Sequence, residues 1–261
     1  MKQLLTYWSL DWTSVVLLLL IVVFVAVKKR CDKRVAVAAF LLLVISLFSP
    51  LHVLSADYLF SAHMTVHVIL LLCVGPLLVR LSPTVKPLSH LFGFIKCHPM
   101  AGWLTGIGMM WFWHLPVVFN SAMSTMDSRG FDLIALVEEL SLIVAGMLFS
   151  APIIHKSERY RIDPLSGVVY LFTACIGCSV LGLLITFAPT GTYHHFLSIP
   201  DQYGLNRLIS HDCGITESMD QQAAGLIMWV PCCLIYVTGS MYLLVHWFKQ
   251  KDDVIAYSKE L

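Results

Sequence analysis

Two histidines, His63 and His67, stand four residues apart in the stretch SAHMTVHVILLLCVGPLLV. On a helix this spacing puts both imidazoles on one face, about 6 Å apart along the axis, where they can form half of a metal site. In the zinc protease signature of the same spacing, a Glu follows the first histidine and acts as the general base. Met64 occupies that position here, and a thioether cannot take a proton from water. The pair therefore indicates metal binding without hydrolysis.

These histidines belong to a chain that is far more apolar than a globular domain. Of its 261 residues, 58% are hydrophobic, and the mean hydropathy of +0.79 is typical of an integral membrane protein. The net charge is only +1, and no basic patch indicates a nucleic-acid partner. Long continuous apolar runs predict helices, because a helix satisfies its own backbone hydrogen bonds in lipid.

We therefore predict an all-α, single-domain bundle, embedded in the lipid bilayer, with seven transmembrane helices. The predicted spans are residues 12–27, 35–54, 59–81, 101–119, 131–152, 165–189 and 221–248. Fourteen of the 17 Lys and Arg side chains fall on one side of this arrangement and three fall on the other. Because cytoplasmic loops are rich in Lys and Arg, the N-terminus is predicted outside and the C-terminus in the cytoplasm. No cleavage site follows the first run, so it is expected to be a retained span.

A third histidine, His114, is predicted at the same depth as the first two. It lies in the outer third of the fourth span, just before Pro116, which is expected to kink that helix. Polar groups at membrane depth are costly and usually mark a site inside the bundle. We therefore predict that His63, His67 and His114 converge on one metal ion. His52, at the end of the second span, is interpreted as a packing residue.

Other side chains near this level could support the ion. Glu138 and Glu139, in the fifth span, could each orient an imidazole by accepting a hydrogen bond from its second nitrogen. Met64 could add a thioether, and soft sulfur donors favour copper(I) over zinc. Asp220 is expected chiefly to cap the N-terminus of the seventh helix.

The outer loop, residues 190–220, contains further candidates for metal transfer. They are His194, His195, His211 and Cys213. A loop of this length is often functional, although a solvated cap would be equally polar. Four cysteines lie within the spans at Cys175, Cys178, Cys232 and Cys233. They form either a thiolate relay or a set of small packing residues, and the sequence leaves both interpretations open.

Three stretches resemble one family, the multi-span CtaG-type assembly factors of bacterial cytochrome c oxidase that are associated with caa-type oxidases. SAHMTVHVILLLCVGPLLV is similar to the family's His-x-x-x-His segment, WFWHLP to its Trp-x-His-Leu-Pro segment, and MDQQAAGLIMWVP to its acidic-Gln-Gln segment. The residues that match these motifs are His63, His67, His114, Asp220, Gln221 and Gln222.

The resemblance implies a role in maturing the copper B centre of a haem-copper oxidase. The residues themselves show no evident turnover chemistry, so we do not expect an enzyme. The resemblance also implies the oxidase catalytic subunit and a periplasmic copper chaperone as partners, and the bacterial inner membrane as the location. The chain departs from the family pattern twice. EELS places Glu139 where the family tends to have a histidine, and VPCC has cysteines where glycines are more usual.

Two other functions compete with this interpretation. A bis-histidine haem protein would ligate iron with histidines from separate helices, such as His67 and His114. A copper uptake protein would need a pathway through the span cysteines. A retinal protein is excluded, because the seventh span has no lysine for a Schiff base.

Overall fold

The computed structural model describes residues 8–27, 32–82, 86–125, 131–193, 201 and 203–259, with side chains described up to residue 251 except at 125. These residues form helices and connecting turns, which confirms the all-α prediction. The helices are α1 (Trp12–Ala26), α2 (Lys33–Phe48), α3 (Pro50–Asp57), α4 (Phe60–Leu81), α5 (Lys86–Cys97), α6 (Pro99–His114), α7 (Pro116–Thr125), α8 (Leu133–Ile154), α9 (Pro164–Phe187) and α10 (Glu217–Lys259). His194 and His195 lie outside the described residues.

Several of these helices are long and apolar enough to cross a membrane. In the described part of the chain, α4, α8, α9 and α10 meet this criterion singly, and α2 with α3 meets it as a pair bent by 47°. The apolar helix α1 is shorter, at 15 residues. The chain is therefore an all-helical membrane protein with four or five candidate spans on these criteria, and the count of seven stays a prediction.

Two of the predicted spans are interrupted. The second breaks at Ser49, whose side chain accepts a hydrogen bond from the backbone N–H of Leu51 and so caps α3. The fourth breaks at Leu115, which is extended (φ −63°, ψ 126°). A proline follows each break, and the residue before a proline is driven out of the helical conformation. The predicted kink at Pro116 is thus a complete break that ends α6 at His114.

Helices α4, α8 and α10 begin, and helices α6 and α9 end, at one end of the bundle, which collects polar side chains. There the start of α1 meets the start of α3, with Asp11 Oδ1 3.3 Å from His52 Nε2. The start of α4 meets the end of α6 and the start of α8, while the start of α10 meets the end of α9. We call this end of the bundle the histidine end.

Glycines allow α4 and α8 to pack with their backbones in contact. A Cβ on Gly146 would lie 2.1 Å from the carbonyl oxygen of Leu71, and a Cβ on Gly75 would lie 2.8 Å from the backbone of Gly146. The two helices are parallel, and His67 and Glu138 each lie eight residues before one of these glycines. The close backbone contact therefore helps to bring the side chains of His67 and Glu138 together about two turns away.

Candidate metal centre

The centre begins with the two histidines of α4, which lie on one buried face. His63 is 7% exposed and His67 is 3% exposed, and their ring centroids are 4.2 Å apart. Both imidazoles point into the bundle, where polar groups in a membrane protein are normally found. The four-residue spacing thus yields two adjacent buried nitrogen donors.

Glu138 of α8 lies against both of these histidines. Its Oε1 atom is 3.7 Å from His63 Nε2 and 3.4 Å from His67 Nε2. Among the described residues, these three side chains are the only group of three or more His, Cys, Asp or Glu whose ligand atoms all lie within 4.8 Å of one another. Glu138 therefore sits within reach of an ion as well as of the imidazoles that it was predicted to orient.

His114 reaches the same cluster from the end of α6. Its Nε2 atom is 3.4 Å from His67 Nδ1 and 2.9 Å from the sulfur of Met64, and its ring is 1% exposed. The structure thus brings His63, His67 and His114 into one cluster, with His67 in the middle. The nitrogen of His63, however, faces Glu138 rather than His114.

The partners of these rings fix which nitrogens carry lone pairs. His114 Nδ1 contacts the carbonyl oxygen of Met110, which can only accept, so this nitrogen is the donor. His67 Nε2 is the donor to Glu138 for the same reason. In the neutral rings, His67 Nδ1 and His114 Nε2 therefore face each other with lone pairs. Their contact is favourable only with a proton or a metal cation between them.

The cluster contains two donor sets that share His67. In the other tautomer of His67, whose Nε2 carries the lone pair, His63, His67 and Glu138 offer two nitrogens and an oxygen, a set that zinc accepts. His67, His114 and Met64 offer two nitrogens and a sulfur, a set suited to copper(I). Met64 is fully buried, as expected for a side chain enclosed by the cluster.

Asp220 holds the helix that carries the histidine pair. Its carboxylate accepts hydrogen bonds from the backbone N–H groups of Phe60 (2.7 Å) and Ser61 (3.1 Å), and from the Ser61 hydroxyl. The prediction that Asp220 caps its own helix is wrong, because α10 begins at Glu217 and it is the Thr216 hydroxyl that accepts a hydrogen bond from the backbone N–H of Met219. Asp220 instead caps α4, whose own N-cap residue, Leu59, makes no side-chain hydrogen bond to the helix. A carboxylate at this position also stabilises the positive end of the helix dipole.

The two glutamines after Asp220 differ in their environment. Gln221 Nε2 donates to the carbonyl oxygens of Ile185 (3.2 Å) and Ala188 (2.7 Å), so it ties α10 to the end of α9. Gln222 is exposed. The acidic-Gln-Gln motif therefore supplies two residues that position helices, and the structure does not bring Gln222 into the cluster.

An aromatic layer that sequence reasoning missed covers the centre. Tyr193 donates from its hydroxyl to the carbonyl oxygen of His114 (3.0 Å), and its ring stacks on Phe60 with centroids 4.6 Å apart. The ring of Phe119 packs edge to face against the ring of His63, with centroids 5.5 Å apart. A cavity of about 130 Å³, lined by residues such as Phe60, Tyr193 and Asp220, lies beyond this layer. The scattered positions of these aromatics along the chain gave no signal of their contact.

The remaining predicted residues lie elsewhere. Glu139 is outside the cluster and interacts electrostatically with His52 and Asp11. His211 and Cys213 are exposed, and His211 Nδ1 is 3.4 Å from Asp212 Oδ1. The described part of the outer loop therefore contributes neither residue to the buried cluster.

Comparison with known proteins gives one match. A family model described as cytochrome c oxidase caa3 assembly factor (Caa3_CtaG) matches residues 33–250, which include every member of the histidine cluster. No curated protein and no solved structure matches the chain significantly.

Proposed function

Because the chain belongs to the family of cytochrome c oxidase caa3 assembly factors, we propose that it holds copper(I) in the histidine cluster for the copper B centre of the oxidase catalytic subunit. The observation that carries this proposal is the pair of facing nitrogens, His67 Nδ1 and His114 Nε2, with the sulfur of Met64 beside them. Copper is cargo here, so the chain has to bind it and then release it.

The spacing of these donors fits a single ion. Metal–nitrogen bonds of about 2.0 Å, at angles between tetrahedral and trigonal, put two nitrogens roughly 3.3–3.5 Å apart. The two facing nitrogens are 3.4 Å apart. A thioether beside two imidazoles favours copper(I) over zinc. His63, on the same face of α4, is the third imidazole that we propose for the ion.

Glu138 supplies the negative charge that a buried cation requires. Copper(I) bound by neutral imidazoles carries one positive charge, and a single buried charge in a membrane interior is costly. The carboxylate of Glu138 is 3% exposed and lies beside His63 and His67. The loaded cluster is then neutral overall, which allows it to hold the ion inside the bundle.

We also propose that the chain crosses a bacterial inner membrane seven times, with its N-terminus outside. In this arrangement α1, α2 with α3, α4, α6 with α7, α8, α9 and α10 form the spans. The histidine end then faces outside, where a periplasmic copper chaperone would deliver the ion. A reporter enzyme that functions only in the cytoplasm should be active when it is fused after Leu261. A C-terminal fusion that is active in the periplasm would contradict this orientation.

A deletion strain tests the copper function. Cells without this protein should make the oxidase polypeptide and insert its haems, but the copper B centre should be empty under copper limitation. Oxygen reduction should be lost, and added copper should restore part of it by mass action. Metal analysis and optical spectra of the purified oxidase measure these outcomes. A fully copper-loaded oxidase from the deletion strain would overturn the proposal.

Complementation with variants connects that defect to the cluster. His114→Ala should fail to restore copper B, because it removes one of the two facing nitrogens. His246→Ala is a matched control, since His246 is exposed and hydrogen-bonded to Gln250 in the last helix. Equal rescue by both variants would disconnect the histidine cluster from assembly.

The haem alternative has a separate test. A haem between His67 and His114 would need its iron and ring to fit between two nitrogens that are only 3.4 Å apart, with Met64 packed against one of them. The geometry therefore disfavours haem. A Soret band in the purified protein would reverse this conclusion.

A further inference from the structure

A second group of soft side chains lies between α9 and α10. Cys175 Sγ is 2.9 Å from Cys233 Sγ, and the Ser179 hydroxyl is 3.2 Å from the same Cys233 sulfur. Cys178 and Cys232, the other two cysteines of this group, are fully buried and interact electrostatically with each other. None of these four thiols belongs to the histidine cluster.

Glycines hold these thiols in register across the two helices. A Cβ on Gly182 would lie 2.8 Å from the carbonyl oxygen of Gly225, and a Cβ on Gly225 would lie 2.7 Å from that of Gly182. The helices are antiparallel, so a contact one turn from Cys178 on α9 places the preceding turns of α9 opposite the following turns of α10. The backbone contact therefore keeps the cysteines of α9 facing those of α10.

Met110 of α6 completes a buried set of three sulfurs. Its Sδ atom is 3.8 Å from Cys178 Sγ, and the side chain is 1% exposed. Two sulfurs bound to one ion, with metal–sulfur bonds of about 2.3 Å and a tetrahedral angle, lie about 3.8 Å apart. Cys178 and Met110 therefore already have the separation that a shared ion would impose, and Cys232 adjoins them.

Met110 also connects this set to the histidine cluster. Its carbonyl oxygen accepts from His114 Nδ1, and the opposite nitrogen of the same ring faces Met64 and His67. Met110 therefore contacts Cys178 through its sulfur and His114 through its backbone carbonyl oxygen, which places the sulfur set one helical turn from His114 on α6. Soft sulfur ligands select copper(I) among the ions of the cell.

We propose that Cys178, Cys232 and Met110 form a second copper(I) site that exchanges its ion with the histidine cluster. Exchange rests on the proposed function of that cluster, whereas binding to the three sulfurs does not. One thiol loses its proton as the copper–thiolate bond forms, and the other thiol and the thioether bind as neutral donors. Thiolate and ion then cancel in charge, which a membrane interior favours. Copper remains copper(I), and the thiol proton is released to a base in the surrounding solution.

The test is an anaerobic titration of the purified full chain with copper(I) against a copper(I)-specific chelator. The wild-type protein should bind two copper ions per chain. Cys178→Ala and Cys232→Ala should each bind one. Met110→Leu, which conserves volume and removes only the thioether, should keep two ions but weaken one of them by about tenfold or more. Cys97→Ala is the matched control, because Cys97 is exposed at the end of α5, and it should bind two.

The variants separate this proposal from the copper function of the histidines. A combined His63, His67 and His114 to Ala variant should keep one ion, bound through sulfur, as X-ray absorption would detect. If the cysteine variants keep the wild-type stoichiometry and the histidine variant binds none, the sulfur site is wrong and the histidine site stands. If only the cysteine variants lose copper, the sulfur site stands and the histidine proposal fails. Absorption spectra of the doubly loaded wild-type protein that contain only nitrogen and oxygen scattering would also overturn the sulfur site.

Discussion

Two neighbouring carboxylates on α8, Glu138 and Glu139, belong to two different groups of polar side chains at the same end of the bundle. Glu138 contacts His63 and His67, and a third histidine joins them from α6. Glu139 interacts electrostatically with His52, the histidine at the start of α3. Consecutive residues on a helix point about 100° apart, so one helix can serve both groups.

The second group is built from pairwise contacts. Asp11 accepts a hydrogen bond from the backbone N–H of Ser14 at 2.8 Å, which caps α1, and its Oδ1 is 3.3 Å from His52 Nε2. Glu139 Oε2 and His52 Nδ1 have no hydrogen-bond partner among the described residues. Asp11 and His52 thus fasten the start of α1 to α3.

The difference between the groups is one of convergence. In the first group, donors from three helices meet around His67, and a thioether lies among them. In the second, the carboxylate of Asp11 is already committed to a helix cap. A histidine near a carboxylate is therefore not sufficient for a metal site, and we expect only the first group to bind copper.

The largest predicted difference in copper(I) affinity is between the variants His67→Ala and His52→Ala. His67 is shared by both donor sets, so its loss should weaken copper(I) binding by more than about 100-fold, since even indirect partners of metal ligands contribute about 10- to 100-fold. His52→Ala should change affinity by less than about threefold. Chelator competition with the two purified variants measures both. Equal losses of copper(I) affinity in the two variants would contradict the prediction that only the first group binds copper.

The next effect should distinguish the two adjacent glutamates. Glu138→Gln keeps the shape but removes the charge beside the histidines, and it should lower copper affinity by about 10- to 100-fold. Glu139→Gln removes an equal charge one residue away and should have little effect. The comparison would fail if Glu139→Gln were the more damaging substitution in the same titration.

A smaller effect is expected at the position that holds the histidine helix. Asp220→Asn keeps an oxygen acceptor but removes the charge at the start of α4, so it should cost about 1 kcal/mol of stability and a few-fold in copper affinity. Gln222→Ala, two residues away and exposed, is the control. Thermal unfolding in detergent measures the loss of stability, and the shift of the unfolding temperature on adding copper measures the loss of copper affinity. An unchanged unfolding curve for Asp220→Asn would exclude the proposed cap.

The smallest effect should come from Asp201, in the outer loop above the cluster. Partial desolvation by the loop raises the pKa of this carboxyl. Hydrogen bonds from the Tyr58 hydroxyl and from the backbone N–H groups of Leu205 and Asn206 lower it by more, so the net shift of the pKa is downward. A lowered pKa means that the ionised carboxylate stabilises the fold above the ordinary Asp pKa of about 3.9, and that this contribution disappears as the pH falls through the lowered value. Asp201→Asn should therefore reduce thermal stability slightly at pH 7.

The pH dependence provides the check on that last variant. The difference in melting temperature between wild type and Asp201→Asn should shrink as the pH is lowered toward 3. A difference that stayed constant over this range would show that the charge of Asp201 is not what stabilises the loop. The wild-type protein and Asp201→Asn should have the same copper affinity at neutral pH, because Asp201 is exposed and lies outside the cluster.

Much of the architecture follows from periodicity and charge in the sequence. Apolar runs of membrane length predicted helices, and the four-residue spacing predicted that His63 and His67 share a face. The proline after His114 predicted the disruption of its helix. Each of these predictions depends on interactions within about five residues, such as helical geometry and the steric effect of proline on its predecessor.

The partners of Asp220 and the Glu138 contacts could not be predicted in this way. Asp220 caps a helix that begins 160 residues earlier in the chain, and a local rule could only assign it to its own helix. Similarly, the sequence around Glu138 and Glu139 does not indicate which of the two glutamates contacts His63 and His67. That choice depends on the rotation of α8 about its axis, which the close contact at Gly146 sets.

By itself, the sequence determined an all-helical membrane protein with three histidines near one end of their helices, because burial in lipid and helical periodicity act locally. Only the tertiary structure decided that His67 and His114 face each other, that Met64 and Glu138 adjoin them, and that Asp220 holds their helix. These contacts depend on the angles and separations at which distant helices pack. Those angles follow from close backbone approaches such as Gly75 with Gly146, which no short stretch of sequence specifies.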